Sequence, residues 1–442
     1  MKKIRILALA LCLTLLWGCG GPAAVGATDP AEPGTVPTEA PTEAPTQEPT
    51  EAPTEPPYRE TARATIIAGG DLLPHMGIIK ASKYGDEYRF DQYFTYVTDA
   101  VSQADFAVAN LETTLAGTED GRAYAGYPCF NCPDTLADAA KGAGFDMLLT
   151  SNNHANDTRS FGISRTLKVL REKEILSLGS VEKEGDPLYR VVDVSGIKIG
   201  MVCYSFGEIR EKTGNKILNG LKVQEEHREL INVFDPKRLD LFYAQMEQHI
   251  ADMKADGAEA TVLYIHWGHE YHTKQSKTQT DMAQKLCELG IDVIIGGHPH
   301  VVQGVELLES ESGHRTLCAY SVGNLLSNQR RNLMDLKTGH TEDGLLVRFT
   351  FVKYSDGSVH LEFAETLPTW VCMRDIDDHR VYHILPLDGD PEDWAERFDL
   401  SESELKHAKK SRERTDKITA QGMADAQAVL DRLRLERLTE NQ

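Results

Sequence analysis

The chain has 442 residues, with 47 basic and 68 acidic side chains and a formal net charge of −21. A nucleic-acid-binding protein needs a basic face, so this balance argues against a nucleic-acid partner. Hydrophobic residues make up 41% of the chain, which is enough for a sizeable core. The length suits two or three average domains or one large α/β unit.

The first 19 residues have the features of a targeting signal. A basic start is followed by a short apolar core at residues 6–17, which is too short for a membrane-spanning helix. Residues 16–19, Leu-Trp-Gly-Cys, resemble the lipobox of bacterial lipoproteins. The resemblance implies that Cys19 carries a lipid and holds the protein on the extracellular face of the cell membrane, in the cell envelope. The alternative is an ordinary cleaved signal.

Residues 20–60 predict a disordered linker. The composition shifts to Pro, Thr, Glu and Ala, and Pro-Thr-Glu-Ala recurs from Pro37. Such a segment cannot build a core and is expected to be extended and partly polyproline. Residues 1–57 contain three basic and seven acidic residues, so the rest of the chain carries a net charge of −17.

Five short apolar segments predict buried strands, at residues 65–68, 106–109, 146–150, 261–265 and 291–295. Polar side chains follow each of them: Asp71 with His75, Asn110 with Glu112, Asn153 with His154 and Asp157, His266 with Glu270, and His298 with His300. Ligands of open α/β sheets collect at the carboxyl ends of the strands. We therefore predict that these side chains form one site.

The last of these clusters has the sequence Gly296-Gly297-His298-Pro299-His300. The glycines permit a tight turn and a close approach of a ligand. Pro299 fixes a backbone angle between the two histidines, so their imidazoles leave the strand in a set relation.

The remaining elements complete an α/β pattern. Helices are predicted at 91–102, after Pro133, near Gly162, and at about 236–255 and 280–289, whereas 208–235 has no clear assignment. Segments within 189–204 and 301–365 are β-rich, and Asn324 follows one of them at a position expected to line the site. Residues 386–442 form a charged tail, in which 401–438 predict a surface helix with i to i+4 charge pairs.

Cys129 and Cys132 form a Cys-x-x-Cys motif without the second pair that a zinc site requires. A redox or disulfide role is one interpretation, and an incidental pair is the one we favour. Four further cysteines have apolar surroundings typical of a core: Cys203, Cys287, Cys318 and Cys372.

The side chains at the strand ends predict a metal site. Carboxylates, imidazoles and an amide suit one or two divalent transition-metal ions such as Mn, Zn or Fe. Two ions sharing one carboxylate would use about this many ligands and would lie roughly 3.5–4 Å apart.

A set of motifs between about Thr65 and Asn328 carries a family resemblance. The motifs are Gly70-Asp71, Asn110-Leu111-Glu112, Asn152-Asn153-His154, His266-Trp267-Gly268, Gly297-His298-Pro299-His300 with Gln303, and Tyr320 to Asn324. In this order they resemble the calcineurin-like metallophosphatase superfamily, and more closely the bacterial CapA or PgsA family of poly-γ-glutamate capsule synthesis. The resemblance implies an α/β fold, a four-layer αββα sandwich of two mixed sheets, at residues 61–385. The tail would be a helical C-terminal extension.

The resemblance also implies roles for individual residues. The ligand positions are Asp71, Glu112, Asn153, His266, His298 and His300, with Glu112 as the bridging carboxylate. His154 matches the histidine that assists departure of the leaving group, and either Asp157 or Glu270 is its acidic partner. The phosphatase pattern has a histidine where this chain has Leu73, so either His75 substitutes or one metal is weakly held. Five residues are placed around the ligands or against the substrate: His75, Asn110, Glu270, Gln303 and Asn324.

Three functions are compatible with these features. The leading hypothesis is a membrane-anchored protein for synthesis, export or attachment of an anionic capsule polymer such as poly-γ-glutamate. Its partners would be the polymer or its precursor and membrane synthase subunits, and a catalytic role would be that of a metal-dependent hydrolase or transferase. The alternatives are a metal-dependent phosphoesterase and a non-enzymatic polymer-binding scaffold of a synthase complex.

Overall fold

A computed structural model describes residues 58–440; the predicted signal, Cys19 and nearly all of the predicted linker lie outside this range. Within it, the strands of the first large sheet are β1 (Glu60–Leu73), β4 (Phe106–Leu111), β5 (Met147–Leu149), β6 (Leu176–Leu178), β17 (Asn324–Ser327), β18 (Asp343–Tyr354), β19 (Val359–Ile376) and β20 (His379–Pro386). Their order across the sheet is β20-β19-β18-β1-β4-β5-β6, with β17 beside β1.

The strands of the second large sheet are β7 (Tyr189–Val194), β8 (Ile197–Phe206), β12 (Val233–Phe234), β13 (Ala260–His266), β14 (Val293–Gly297), β15 (Val305–Glu309) and β16 (Arg315–Ala319). Their order is β12-β8-β13-β14-β16-β15, with β7 beside β8. Both sheets are mixed, because β1 pairs in parallel with β4 and antiparallel with β18, while β14 pairs in parallel with β16, which is antiparallel to β15.

Short strands form two further small sheets: β2 (Lys83–Tyr84), β3 (Glu87–Tyr88), β9 (Glu208–Ile209), β10 (Lys216–Leu218) and β11 (Leu221–Lys222). The α-helices are α1 (Met76–Ala81), α2 (Asp91–Phe94), α3 (Thr98–Val101), α4 (Thr135–Gly142), α5 (Arg159–Glu172), α6 (Leu239–Ala255), α7 (Lys277–Leu289), α8 (Trp394–Arg397) and α9 (Glu402–Glu440). The helix predicted at 91–102 is thus two short helices, and the unassigned 208–235 segment contains strands and one 3₁₀ turn (Glu225–Leu230).

Alternating side chains of the central strands pack into different layers. On β1, Ile66 faces a core shared with the second sheet, whereas Ile67 faces a core formed with α1 to α5. On β13, Val262 faces the shared core, whereas Leu263 packs with α6 and α7. Because both faces are covered, these strands are apolar at almost every position. The order helices, sheet, sheet, helices confirms the predicted four-layer sandwich.

The C-terminal helix α9 packs against both sheets, along β19 of the first sheet and along β15, an edge strand of the second. Its buried positions recur every three or four residues: Ala408, Ser411, Thr415, Thr419, Met423, Ala426 and Leu430. The predicted surface helix with i to i+4 charge pairs is confirmed, as in Arg412–Asp416 and Arg432–Glu436, and the structure adds a buried face that the sequence did not predict. Its buried stripe is mostly Ser, Thr and Ala, so hydropathy alone does not distinguish it from a polar surface helix.

All six cysteines between residues 58 and 440 are free thiols. Burial raises the pKa of the Cys132 thiol well above its usual range, which opposes formation of the reactive thiolate.

Between residues 58 and 440, no helix combines the length and apolar character that crossing a membrane requires.

Candidate metal centre

The carboxyl ends of β1, β4 and β5 from the first sheet meet those of β13 and β14 from the second. Asp71 lies in β1, Glu112 follows β4, Asn153 follows β5, and His266 ends β13. All four are buried. The sheet edges therefore bring together side chains that are up to 195 positions apart in the sequence.

The turn after β14 supplies the last two histidines in an unusual backbone conformation. His298 has φ 93° and His300 has φ 55°. These values lie in the left-handed region, which residues other than glycine rarely adopt. A Cβ at Gly297 would lie 3.2 Å from Asp71 Oδ1 and 3.4 Å from His266 Nδ1. Glycine at this position therefore lets the carboxylate and the imidazole approach the strand end closely.

Glu112 is the central residue of the site. Its side chain is fully buried, yet neither carboxylate oxygen has a hydrogen-bond partner. Its Oε1 lies 3.2 Å from His266 Nε2 and 3.8 Å from His300 Nε2. A buried carboxylate without hydrogen bonds is costly, and a bound cation would remove that cost.

Between residues 58 and 440, two groups of side chains have the geometry to hold an ion, and both include Glu112. One is Glu112, His298 and His300; the other is Asp71, Glu112 and His266. In each group, the potential ligand atoms all lie within 4.8 Å of one another. The residues therefore fit a bound metal ion, and Glu112 is common to both groups. Its role as a bridge between two ions stays a prediction.

Asn153 also points into this cluster. Its Oδ1 lies 2.8 Å from His266 Nε2, the nitrogen that faces Glu112. An amide oxygen beside an imidazole nitrogen adds a further donor atom to the second group. All six predicted ligand positions are thus at one place, and their assignment as ligands stays a prediction.

Hydrogen bonds and charges set the protonation of the site. Burial favours neutral Asp71, but the hydrogen bond from His300 Nδ1 (3.1 Å) and nearby imidazoles outweigh it and lower the pKa of this carboxyl. Burial by itself lowers the pKa of His300. The nearby carboxylates of Glu112 and Asp71 outweigh this effect and raise the pKa to about 9. The pKa of His298 is lowered well below its usual range by burial and by the neighbouring histidines.

His154 and Asp157 form a buried pair beside the ligands. His154 Nδ1 lies 2.7 Å from Asp157 Oδ2, and this same oxygen accepts a hydrogen bond of 2.6 Å from the Phe130 amide. The Phe130 ring packs edge-on against His154, with ring centroids 4.7 Å apart. Of the two predicted acidic partners, the structure therefore places Asp157 against His154, whereas Glu270 is exposed at the rim.

The other predicted residues support the site from outside. Asn110 Nδ2 donates to Asp71 Oδ1 at 2.8 Å, and Asn324 Nδ2 donates to the His300 carbonyl at 3.2 Å. Gln303 donates to the carbonyl groups of His272 and Lys274, so it fixes the loop after β13 rather than the cluster itself.

His75 does not join either group of potential ligands. Its Nδ1 lies 3.1 Å from the Leu73 carbonyl, and its ring packs edge-on against Phe130, with ring centroids 5.2 Å apart. Burial lowers its pKa to about 4, so the imidazole is neutral at pH 7. Among the residues that the structure describes, His75 therefore does not take the place of the histidine that Leu73 replaces.

Four residues near the site were not predicted as site residues. Phe130 packs on His154, and Phe206 packs on His298, with ring centroids 4.5 Å apart. Asn219 Nδ2 lies 3.4 Å from His154 Nδ1, and Asn152 Nδ2 donates to Asn110 Oδ1 at 3.0 Å. Only Asn152 had a sequence signal, because it stands beside Asn153 and His154. Phe206 ends β8, and Phe130 and Asn219 lie in segments between strands.

Comparisons with known proteins find relatives that span most of the chain. The capsule biosynthesis protein CapA of Bacillus anthracis is 25% identical over 359 residues, which cover 79% of this chain and 80% of that protein. The PGA biosynthesis protein CapA of Bacillus subtilis (strain 168) is 21% identical over 323 residues, covering 71% and 77%. A crystal structure of TT1561 of Thermus thermophilus aligns with 64% of this chain and 93% of that one, at 10% identity and a TM-score of 0.32.

The sequence model of one family covers most of the folded region that carries the site. It is described as bacterial capsule synthesis protein PGA_cap and matches residues 65–329, which include every predicted ligand. This match spans more than half of the 442 residues. The chain therefore belongs to the bacterial capsule synthesis protein family PGA_cap.

Proposed function

We propose that this protein acts in the synthesis, export or attachment of an anionic capsule polymer such as poly-γ-glutamate, through a site that holds one or two divalent metal ions. The observation that carries the proposal is the pair of ligand groups sharing Glu112, a buried carboxylate whose oxygens have no hydrogen-bond partner. The relatives named for capsule biosynthesis and PGA biosynthesis support the capsule role.

The side chains suit hydrolysis or transfer at an amide or phosphoryl centre. A divalent ion such as Mn, Zn or Fe, when bound, would supply Lewis-acid chemistry there. Asp157 accepts from His154 Nδ1 and orients the ring, which leaves His154 Nε2 as the atom that holds or transfers a proton. Phe130 covers this pair and limits its access to water.

The proposal includes a location. Lipidation of Cys19 would anchor the chain to the extracellular face of the membrane, and the Pro/Thr/Glu-rich segment would space the folded region from it. At such a position, the partners would be the growing or exported polymer and membrane-bound synthase subunits. Replacing Cys19 with Ser should release the protein from the membrane fraction in its host.

A deletion in the host organism tests the capsule role. We expect loss of cell-bound anionic polymer, restored by the parent gene but not by a gene carrying His298→Ala and His300→Ala. Normal polymer in the deletion strain would refute the proposal. Restoration by the double variant, at equal protein level, would instead favour a scaffold that needs no metal.

A metal-dependent phosphoesterase is the second candidate, and the His154–Asp157 pair is the observation that favours it. Turnover of an aryl phosphate by the purified domain, abolished in His154→Ala with the metal content unchanged, would support this activity. Turnover that persists in that variant would exclude His154 from the reaction.

A further inference from the structure

The C-terminal helix α9 begins a continuous chain of contacts that ends at the candidate metal centre. Arg414 forms a two-pronged ion pair with Asp343, with Nε–Oδ2 2.7 Å and Nη2–Oδ1 2.6 Å. Ser411 Oγ donates to the same carboxylate at 2.6 Å. Asp343 is only 1% exposed, so α9 fixes the start of β18 from within the buried interior.

From Asp343, the contacts continue into residues 322–324. The Leu345 amide donates to the Val322 carbonyl at 2.9 Å, and Gly323 pairs with Gly344 in an isolated bridge. A Cβ at Gly344 would lie 2.2 Å from the Asn324 carbonyl oxygen, so the two segments pack without intervening space. A shift of residues 343–345 would therefore displace residues 322–324 as well.

Residues 322–324 in turn hold two of the predicted metal ligands. The Asp71 amide donates to the Gly323 carbonyl at 3.0 Å. Asn324 Nδ2 donates to the His300 carbonyl at 3.2 Å and to the Thr341 carbonyl at 3.0 Å. The buried Asn324 amide group thus connects the backbone of His300 to Thr341, which lies just before the Asp343 that α9 holds.

We propose that Arg414 and Ser411 are positioning residues that hold His300 and Asp71 in place for metal binding. The inference rests on the proposed metal site and extends it to a helix that lies beyond residue 329, where the family match ends. His300 needs such support because its backbone has φ 55°, a conformation that persists only when the surrounding structure imposes it. Mutation of residues that orient metal ligands typically lowers metal affinity by roughly 10- to 100-fold.

The experiment compares Arg414→Met with Arg434→Met in the full chain. Arg434 lies on the same helix, 20 residues further along and about 30 Å away, and pairs with a different buried carboxylate, Glu362, at 2.9 Å. Both variants lose an ion pair to a buried acid. Affinity for Mn²⁺ and Zn²⁺ is measured by competition with a chelator, beside the thermal unfolding midpoint of each variant.

We expect Arg414→Met to weaken metal affinity by at least tenfold, Arg414→Lys to restore part of it, and Arg434→Met to keep the parent affinity. Equal affinities in the parent and Arg414→Met, or equal losses in the Met variants, would overturn the inference. If Arg414→Met does not fold, Ser411→Ala replaces it, with a smaller loss expected and an unchanged affinity contradicting the proposal. A parent that binds no metal would refute the proposed site itself, and the inference with it.

Discussion

At the scale of single residues, Glu112 is the central potential ligand of the site. It is the only residue that both groups of potential ligands share, and its two oxygens have no hydrogen-bond partner. A histidine ligand belongs to one group or the other, so its loss would leave one group intact. Loss of the Glu112 carboxylate would affect both.

Replacing Glu112 with Gln should therefore weaken binding of every bound ion by more than roughly 100-fold, because the substitution removes a shared ligand rather than a supporting residue. Elemental analysis after dialysis measures the outcome. Glu184→Gln is the matched control, since Glu184 is an exposed acid that belongs to neither group. Parent-level metal in Glu112→Gln would exclude a bridging carboxylate.

A second residue-scale prediction concerns acid stability and Glu342. Burial by itself raises the pKa of this carboxyl, but hydrogen bonds and charges from Arg331 and Arg330 outweigh it and lower the pKa to about 2. The ionised form is thus favoured by folding. Its stabilisation is complete above the unfolded pKa near 4.5 and is lost as the pH falls from there to about 2.

Glu342→Gln should accordingly lower the free energy of unfolding by about 3 kcal/mol at pH 7. The difference from the parent should shrink steadily below about pH 4.5. Urea unfolding at several pH values measures both effects. A difference that stays constant down to about pH 2.5 would show that the charge of Glu342 is not what stabilises the fold.

At the scale of elements, α9 is part of the core rather than an appendage. Leu430 is 3% exposed in the core shared by the two sheets, whereas Leu435 on the same helix is 63% exposed. The helix also covers two buried acids, Asp343 and Glu362, with arginines. These contacts explain why it remains helical over 39 residues despite a strongly polar sequence.

Leu430→Ala should cost roughly 2–4 kcal/mol, because it leaves a cavity in the shared core. Leu435→Ala, the same chemical change on the exposed face, should alter stability by less than about 0.5 kcal/mol. Denaturant unfolding of the two variants separates the cases. Equal losses would mean that the helix does not pack on the sheets as described.

At the scale of the whole molecule, charge is the main constraint on a polyanionic partner. Residues 58–442 carry a net charge of −17, which repels a carboxylate-rich polymer at long range. Ions bound near Glu112 would be the strongest local positive charges available to oppose this field.

Binding of poly-γ-glutamate to the purified domain should therefore require the metal and be lost on adding a chelator. The variant with His298→Ala and His300→Ala provides the control, because a chelator should have no further effect on it. Light scattering or calorimetry would measure the affinity. Equal binding with and without chelator would move polymer recognition away from the metal centre.

The sequence by itself determined the local features of this protein. Apolar residues at successive positions predicted central strands that are covered on both faces. The polar residues after these strands were therefore expected at the carboxyl edge of a sheet. The motifs in their order then predicted the four-layer fold and the ligand positions. Periodicity also predicted the helix at the C-terminus.

Only the tertiary structure decided which remote groups meet. It placed Asp157 rather than Glu270 against His154, left His75 outside both groups of potential ligands, and added Phe130 and Asn219. It also turned a polar helix into a packed one, because Ser and Thr in a buried stripe look like surface residues until their partners are known. Such outcomes depend on contacts between segments far apart in the chain, and local patterns carry no information about them.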